Sequence, residues 1–205
     1  MTTDSVRFGP VTVGSDHHVL EPRAWTLAQS ERAAQRLRSL PPGPVLELHC
    51  GAGHIGQAAA AWSGRDLVQL DDDPVCCTWA ARNATNNGLR SVVVCAQIGA
   101  EPFRDEHFVL VLADPPYVPS HETVRFPDDP RHAIDGGADG LDGVRTCLPA
   151  AARAVRRGGV VLLQTRGLEQ ARRAACLAGG SEPPLRLDRV VVVAPDRAIA
   201  EFVRN

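Results

Sequence analysis

Short, continuously apolar runs alternate along this chain with segments whose apolar residues recur at helical spacing. Val45 to His49, Asp66 to Leu70, Ser91 to Cys95, Phe108 to Ala113 and Val160 to Gln164 read as strands. Ile55 to Trp62, Val75 to Ala84, Gly143 to Arg156 and Leu168 to Leu177 read as helices, the last three closed at Asn86-Asn87-Gly88, Gly158-Gly159 and Gly179-Gly180. Strands apolar on both faces and separated by helices predict an α/β fold with a mostly parallel sheet covered on both sides. The end of the chain breaks the alternation. Leu185 to Val193, Pro195-Asp196 and Ile199 to Val203 predict an antiparallel hairpin at the sheet edge. Ahead of the first core strand come two β-like pieces, Val6 to Phe8 and Val11 to Val13, and an amphipathic helix from Trp25 to Leu40 stopped by Pro41-Pro42-Gly43. The expected organisation is an N-terminal segment, 1–40, and one domain, 41–205.

Composition narrows the function more than the fold. The chain has 205 residues, enough for one domain that buries roughly 70% of its unfolded surface without disulfides or metals. A net charge of −2 supplies no field of one sign to draw the protein to nucleic acid or an anionic membrane. All 22 basic residues are arginine, which excludes lysine-based chemistry. The cysteines at 50, 76, 77, 95, 147 and 176 show no CxxC spacing, and most of them sit in apolar runs and read as small core residues of a reducing cytosol. With no signal-like start and no apolar run near 18 residues, a soluble, cytoplasmic protein is expected. His17, His18, His54, His107 and His121 form no ligand spacing, so they are expected at the surface or in loops and no metal site is expected. Arg153, Arg156 and Arg157 read as a solvated helix end.

Two motifs carry chemistry. Asp114-Pro115-Pro116-Tyr117 directly follows the strand Phe108 to Ala113. Prolines donate no backbone hydrogen bond and fix φ, so they end the ladder in a stiff turn. Such a turn would hold one carboxylate oxygen, one free carbonyl and one ring face around a planar amide or amine. The second motif, Gly51-Ala52-Gly53-His54-Ile55-Gly56, follows a strand and opens a helix, the setting in which glycines let a backbone approach a ligand. About 20 residues on, Asp71-Asp72-Asp73 ends the next strand, where a carboxylate grips a ribose diol; Asp71 is favoured, with Asp72 and Asp73 as turn and cap. These features admit a dinucleotide or S-adenosylmethionine. Glu47, just ahead of the glycines, would repel a pyrophosphate and meet a cationic amino acid moiety, which favours the sulfonium cofactor. Gln97, after the third strand, is a candidate contact for the adenine edge.

With these residues in view, the chain resembles the class I S-adenosylmethionine-dependent methyltransferases, and within them the HemK/PrmC-like N-methyltransferases. Val19 to Thr26 is similar to the family's Leu-Ile-Pro-Arg-Pro-Glu-Thr segment. Asp114 to Pro119 resembles its Asn-Pro-Pro-Tyr-Ile-Pro, and Ala133 to Asp142 its Ala-Leu-Asp-Gly-Gly-Glu-Asp-Gly-Leu. The resemblance implies a Rossmann-like, seven-stranded sheet with S-adenosylmethionine as cofactor. It places Glu47, His49, Gly51, Gly53, Asp71, Asp72, Gln97 and Asp114 at the cofactor. Three departures stand out: Asp114 replaces the family's Asn, His49 its first glycine, and Gln97 its third-strand Asp. At most about 40 residues precede the first core strand, so the helical domain that binds release factors in the bacterial glutamine enzymes is expected to be missing.

The expected reaction is N-methylation of a glutamine-like amide or another planar nitrogen in a protein, peptide or small metabolite. Asp114 and the Pro115 carbonyl would accept the two N–H bonds and turn the nitrogen lone pair toward the methyl group. Tyr117 would stack on the flat acceptor, beside Pro116. The loop Ser120 to Asp142 reads as a substrate-side lid, with Arg23, Arg125, Arg131 and His132 as candidate contacts. A nucleic-acid base methyltransferase (adenine N6 or guanine N2) is the alternative that the Asp-Pro-Pro-Tyr form suggests. A non-catalytic cofactor-binding subunit is a further one.

Overall fold

The computed structural model describes residues 4–100, 103 and 105–205. β1 (Asp4–Phe8) and β2 (Val11–Ser15) pair antiparallel as a separate hairpin, with Val6 opposite Val13. Beyond them the chain alternates: α1 (Leu27–Leu37), β3 (Val45–Leu48), α2 (His54–Ser63), β4 (Leu67–Asp71), α3 (Pro74–Asn86), β5 (Ser91–Cys95) and β6 (Phe108–Ala113). A short helical turn, α4 (Arg131–Ile134), precedes α5 (Asp142–Ala154), β7 (Val155–Thr165), α6 (Gly167–Gly179), β8 (Leu185–Ala194) and β9 (Arg197–Arg204). The seven-stranded sheet has the order β5-β4-β3-β6-β7-β9-β8. All its pairings are parallel except those of β9, which runs antiparallel to both β7 and β8. The mostly parallel sheet and its closing hairpin are as the apolar pattern predicts.

The central strands show why. Every residue of β3 and β6 is buried, because each face is covered. On one face Leu46, Leu48, Val111 and Ala113 pack with Val144, Leu148 and Ala174. On the other, Val45, Leu110 and Leu112 pack with Ala33, Leu37, Ile55 and Ala59. The β1–β2 hairpin closes a third cluster through Phe8, Val11 and Val13 against Ala58, Cys76 and Trp79. Two buried polar devices tie α1 to the sheet. Gln29 donates to the carbonyls of Ala113 at 3.1 Å and Leu162 at 3.0 Å. Glu201, fully buried in β9, pairs with Arg32 at 2.7 Å and Arg36 at 3.1 Å.

α1 and α5 both end short of the sequence expectation. α1 stops at Leu37 rather than Leu40. The backbone N–H groups of Ser39 and Leu40 turn back to the Arg36 carbonyl, and Pro41 biases the preceding residue away from helix. α5 stops at Ala154, because Val155 pairs with Phe108 before a bulge delivers Val160 to Leu110. Gly158 turns that bulge at φ 71°. Arg156 and Arg157 therefore sit in the bulge, not on a helix end. Among the described residues, no helix is long and apolar enough to cross a membrane.

Candidate active site

β3 and β6 lie side by side and parallel, with Leu48 opposite Ala113. The loops that leave their C-terminal ends are therefore neighbours. From β3 the chain winds outward through β4 and β5, and from β6 through β7, so the strand order reverses between them. A crevice outside the strand ends at such a point is where open α/β sheets bind ligands.

The loop after β3 turns through left-handed backbone at His49 (φ 56°), Gly51 (φ 53°) and Gly53 (φ 83°). A Cβ on Gly51 would meet nothing within 4 Å, so that face is open to a ligand, whereas one on Gly53 would lie 2.5 Å from the Gln57 and Gln69 amide nitrogens. His49 holds a position that strains any side chain by ~1–2 kcal/mol. Burial pulls its imidazole down to about 4, and its Nε2 has no partner among the described residues. Asp71 Oδ2 accepts the Gly51 N–H at 2.8 Å and Oδ1 the Asp73 N–H at 3.1 Å. Burial pushes its carboxyl up, and those two bonds oppose the shift. Asp71 thus braces the glycine turn from the wall of the cavity over it, and Asp72 stands exposed at the edge of that cavity. Asp73 caps α3, accepting from Val75 N–H at 2.7 Å.

Two candidate cofactor residues lie elsewhere. Glu47 faces the underside of the loop, where it accepts from the Gly56 N–H at 2.9 Å and the Gln69 amide at 2.5 Å. Burial pushes it up to about 8, against those bonds. It borders neither of the cavities described below, and it fixes the start of α2, where a Cβ on Gly56 would lie 2.4 Å from its carboxylate. Gln97 is exposed beyond β5 and borders neither cavity described below.

Asp114 is the hinge of the site. A cavity of about 110 Å³ covers the glycine loop, bounded by His49, Cys50, Gly51, Asp71, Asp72 and His132. A second, of about 310 Å³, is bounded by Arg23, Trp25, Pro115, Tyr117, Arg125 and Arg197. Leu20, His54, Asp114, Pro116 and Ala133 border both. Burial pushes Asp114 up to about 7, against the pull of the Arg197 guanidinium, and its Oδ1 has no partner among the described residues. The open face of Gly51 and the unpartnered His49 Nε2 and Asp114 Oδ1 fit a nucleoside with polar edges on the loop side.

The Asp-Pro-Pro-Tyr corner is held from beneath by the glycine-rich stretch that follows it. A Cβ on Gly136 would lie 2.7 Å from the Pro116 carbonyl oxygen, one on Gly140 2.5 Å from that of Tyr117, and one on Gly143 2.7 Å from Pro115. Only glycine permits this approach. Gln170 donates to the carbonyls of Tyr117 at 3.1 Å and Gly140 at 2.8 Å. The Val118 N–H donates to the Ile134 carbonyl at 2.9 Å, and the Gly136 N–H to the Val118 carbonyl at 2.8 Å. The segment expected as a substrate-side lid is folded against this corner.

Contacts on the acceptor side are partly as expected. Arg23 borders the large cavity and pairs with Asp129. Arg125 borders it too, paired with Glu122 at 2.8 Å. Arg131 instead pairs with Asp135 at 3.1 Å, one helical turn on, and stays outside both cavities. His132 faces the cofactor-side cavity. Two residues missed in the sequence complete the wall. The Arg197 guanidinium lies 4.7 Å from the Trp25 ring and 5.7 Å from the Tyr117 ring, a cation–π stack of about 0.5–2 kcal/mol. Trp25 was discernible as an aromatic in the Val19 to Thr26 stretch; Arg197, after the hairpin turn, carries no local signal. His54, expected at the surface or in a loop, opens α2 and is half-buried. Phe8 packs edge-on to it at 4.9 Å, Thr26 Oγ1 lies 3.3 Å from its Nε2, and burial pulls it down to about 4.

The chain is similar to known methyltransferases in sequence and in fold. Residues 30–126 match the family model of the methyltransferase small domain. The release factor glutamine methyltransferase of Geobacter sulfurreducens is 31% identical over 187 residues, 84% of this chain and 64% of that protein. Its counterpart in Moorella thermoacetica is 34% identical over 152 residues, 71% of this chain and 54% of that protein. The chain thus spans little more than half to under two thirds of these relatives' length. Among solved structures, a T. thermophilus 16S rRNA N2 methyltransferase in complex with AdoMet and guanosine aligns with TM-score 0.76 at 18% identity, over 100% of this chain and 50% of that one. The ribosomal protein L11 methylase of Lactobacillus delbrueckii aligns with TM-score 0.65 at 14% identity, over 91% and 82%. At such identities these two attest the fold alone.

Proposed function

We propose that the chain is a HemK/PrmC-like class I S-adenosylmethionine-dependent methyltransferase, and that its Asp114 corner methylates a planar amide nitrogen of the glutamine side-chain type, presented by a protein or peptide. The observation that carries this reading is the place of Asp114. Asp114 borders both the loop-side cavity and the aromatic one, and its buried Oδ1 has no partner among the described residues.

When bound, S-adenosylmethionine supplies an activated methyl group on a sulfonium, already attached to a good leaving group. The loop-side residues Gly51, His49, Asp72 and the braced Asp71 would hold it. The remaining work is positioning. An amide nitrogen is a weak nucleophile because its lone pair is delocalised. Accepting its two N–H bonds, at Asp114 and at the Pro115 carbonyl, fixes the plane of the amide so that the lone pair faces the cofactor side. Those bonds strengthen as positive charge develops on nitrogen, so they assist the reaction more than the binding. The ionised form of Asp114 is the stronger acceptor and takes up the released proton, directly or through water. The Trp25–Arg197–Tyr117 stack gives the flat acceptor a wall, and about 310 Å³ suffices for a side chain. Glutamine is favoured by the named activity of the sequence relatives. A net charge of −2 disfavours a nucleic acid.

The test is incubation with methyl-labelled S-adenosylmethionine and, separately, glutamine-containing peptides, cell protein and cell RNA, followed by mass analysis. Label on a glutamine amide in protein or peptide, lost with Asp114→Ala, is expected. Label confined to nucleic-acid bases would overturn the proposal.

A further inference from the structure

The fold brings together three side chains that the proposed reaction does not use. His18 comes from the turn after β2, Asp73 from the start of α3 and His132 from α4. Their candidate donor atoms all lie within 4.8 Å of one another. His18 Nε2 is 2.7 Å and His132 Nε2 3.7 Å from the same oxygen, Asp73 Oδ2. The second distance is too long for a hydrogen bond, yet both rings turn toward that atom, their centroids 4.7 Å apart. The carboxylate is aimed by its other oxygen, since Asp73 Oδ1 is held by the Val75 N–H at 2.7 Å in the α3 cap. Metal sites supply such an outer anchor to orient a ligand.

From this geometry we infer that His18, Asp73 and His132 form a binding site for a divalent transition-metal ion of the zinc class. Two imidazoles and one carboxylate make a three-ligand set that leaves a position open to water, the pattern of borderline-soft ions rather than of calcium or magnesium. Small rotations of the two partly exposed rings close the donors on an ion at about 2.1 Å. The ion would join the turn after β2 to α4 across the mouth of the loop-side cavity, which His132 and Asp73 border. The inference is independent of which group is methylated, or whether any is.

Zinc and cobalt(II) chloride, titrated into the full chain without cofactor against a colorimetric chelator, provide the test. Expected are one ion per chain, a melting temperature that rises with zinc, and affinity at least ~10-fold lower in His18→Ala and in His132→Ala. Asp73→Asn keeps the helix cap, because asparagine caps as well as aspartate, and is expected to weaken binding without unfolding the protein. His107→Ala, at the opposite end of the sheet, is expected to bind as the parent does. Unchanged affinity in the His18 and His132 variants would overturn the inference. So would a thiolate charge-transfer band in the cobalt spectrum, which would put the ion on cysteines.

Discussion

Replacing Asp114 by asparagine should move stability and activity in opposite directions, each with its own pH dependence. Burial pushes this carboxyl up to about 7 from an ordinary 3.8, and the nearby Arg197 charge offsets only part of that. Below about 4 both folded and unfolded chains hold the proton, and the group contributes nothing to stability. Between 3.8 and 7 the unfolded chain has released a proton that the folded chain still binds, so the native state loses stability as pH rises. Above about 7 the whole penalty is present. A difference of about 3 pK units at 1.36 kcal/mol each sets an upper bound of ~4 kcal/mol, and side-chain relaxation brings the expectation to ~2–4 kcal/mol. Asp114→Asn escapes it. Urea unfolding should find the variant ~2–4 kcal/mol more stable than the parent at pH 8 and level with it near pH 4. Catalysis should run the other way. A hydrogen bond to an anion is about twice as strong as one to a neutral oxygen, a difference of ~1–1.5 kcal/mol, or roughly tenfold in kcat/KM. The parent's rate should rise with pH through an inflection near 7, while the variant's stays flat. An inflection near 7 that persists in Asp114→Asn, or a parent more stable than the variant at pH 8, would refute the assignment.

Three further outcomes follow from the packing. His49→Gly should stabilise the fold by ~1 kcal/mol, because it relieves a left-handed side chain at φ 56°; a lower melting temperature would count against that account. Gly140→Ala should cost ~2–3 kcal/mol and lower kcat more than cofactor affinity, since its Cβ would lie 2.5 Å from the Tyr117 carbonyl oxygen; calorimetry together with S-adenosylhomocysteine titration checks both. Glu201→Ala should cost ~3–5 kcal/mol in denaturant unfolding by leaving Arg32 and Arg36 without their buried partner, and a loss under 1 kcal/mol would show those guanidiniums to be solvated.

Strand and helix positions were readable because their causes are local. β3 and β6 are apolar at every step except Glu47, and the turns between elements carry Gly or Pro whose φ needs no distant partner. The glycine loop and the Asp-Pro-Pro-Tyr corner were readable for the same reason, and parallel strand order made them neighbours. Side-chain direction was not. Glu47 points under the loop because Gly56 and Gln69 donate to it there. Arg131 turns to Asp135 and away from the cavity, and the backbone N–H groups of Gly51 and Asp73 claim both oxygens of Asp71. Trp25 with Arg197, and His18 with Asp73 and His132, meet across long stretches of chain whose separation leaves no period to detect. The order of apolar and turn residues determined which loops reach the site; only the packing of α1, the Ser120 to Asp142 wall and the final hairpin decided which side chains face it, because a contact between distant segments exists only once the sheet has brought them together.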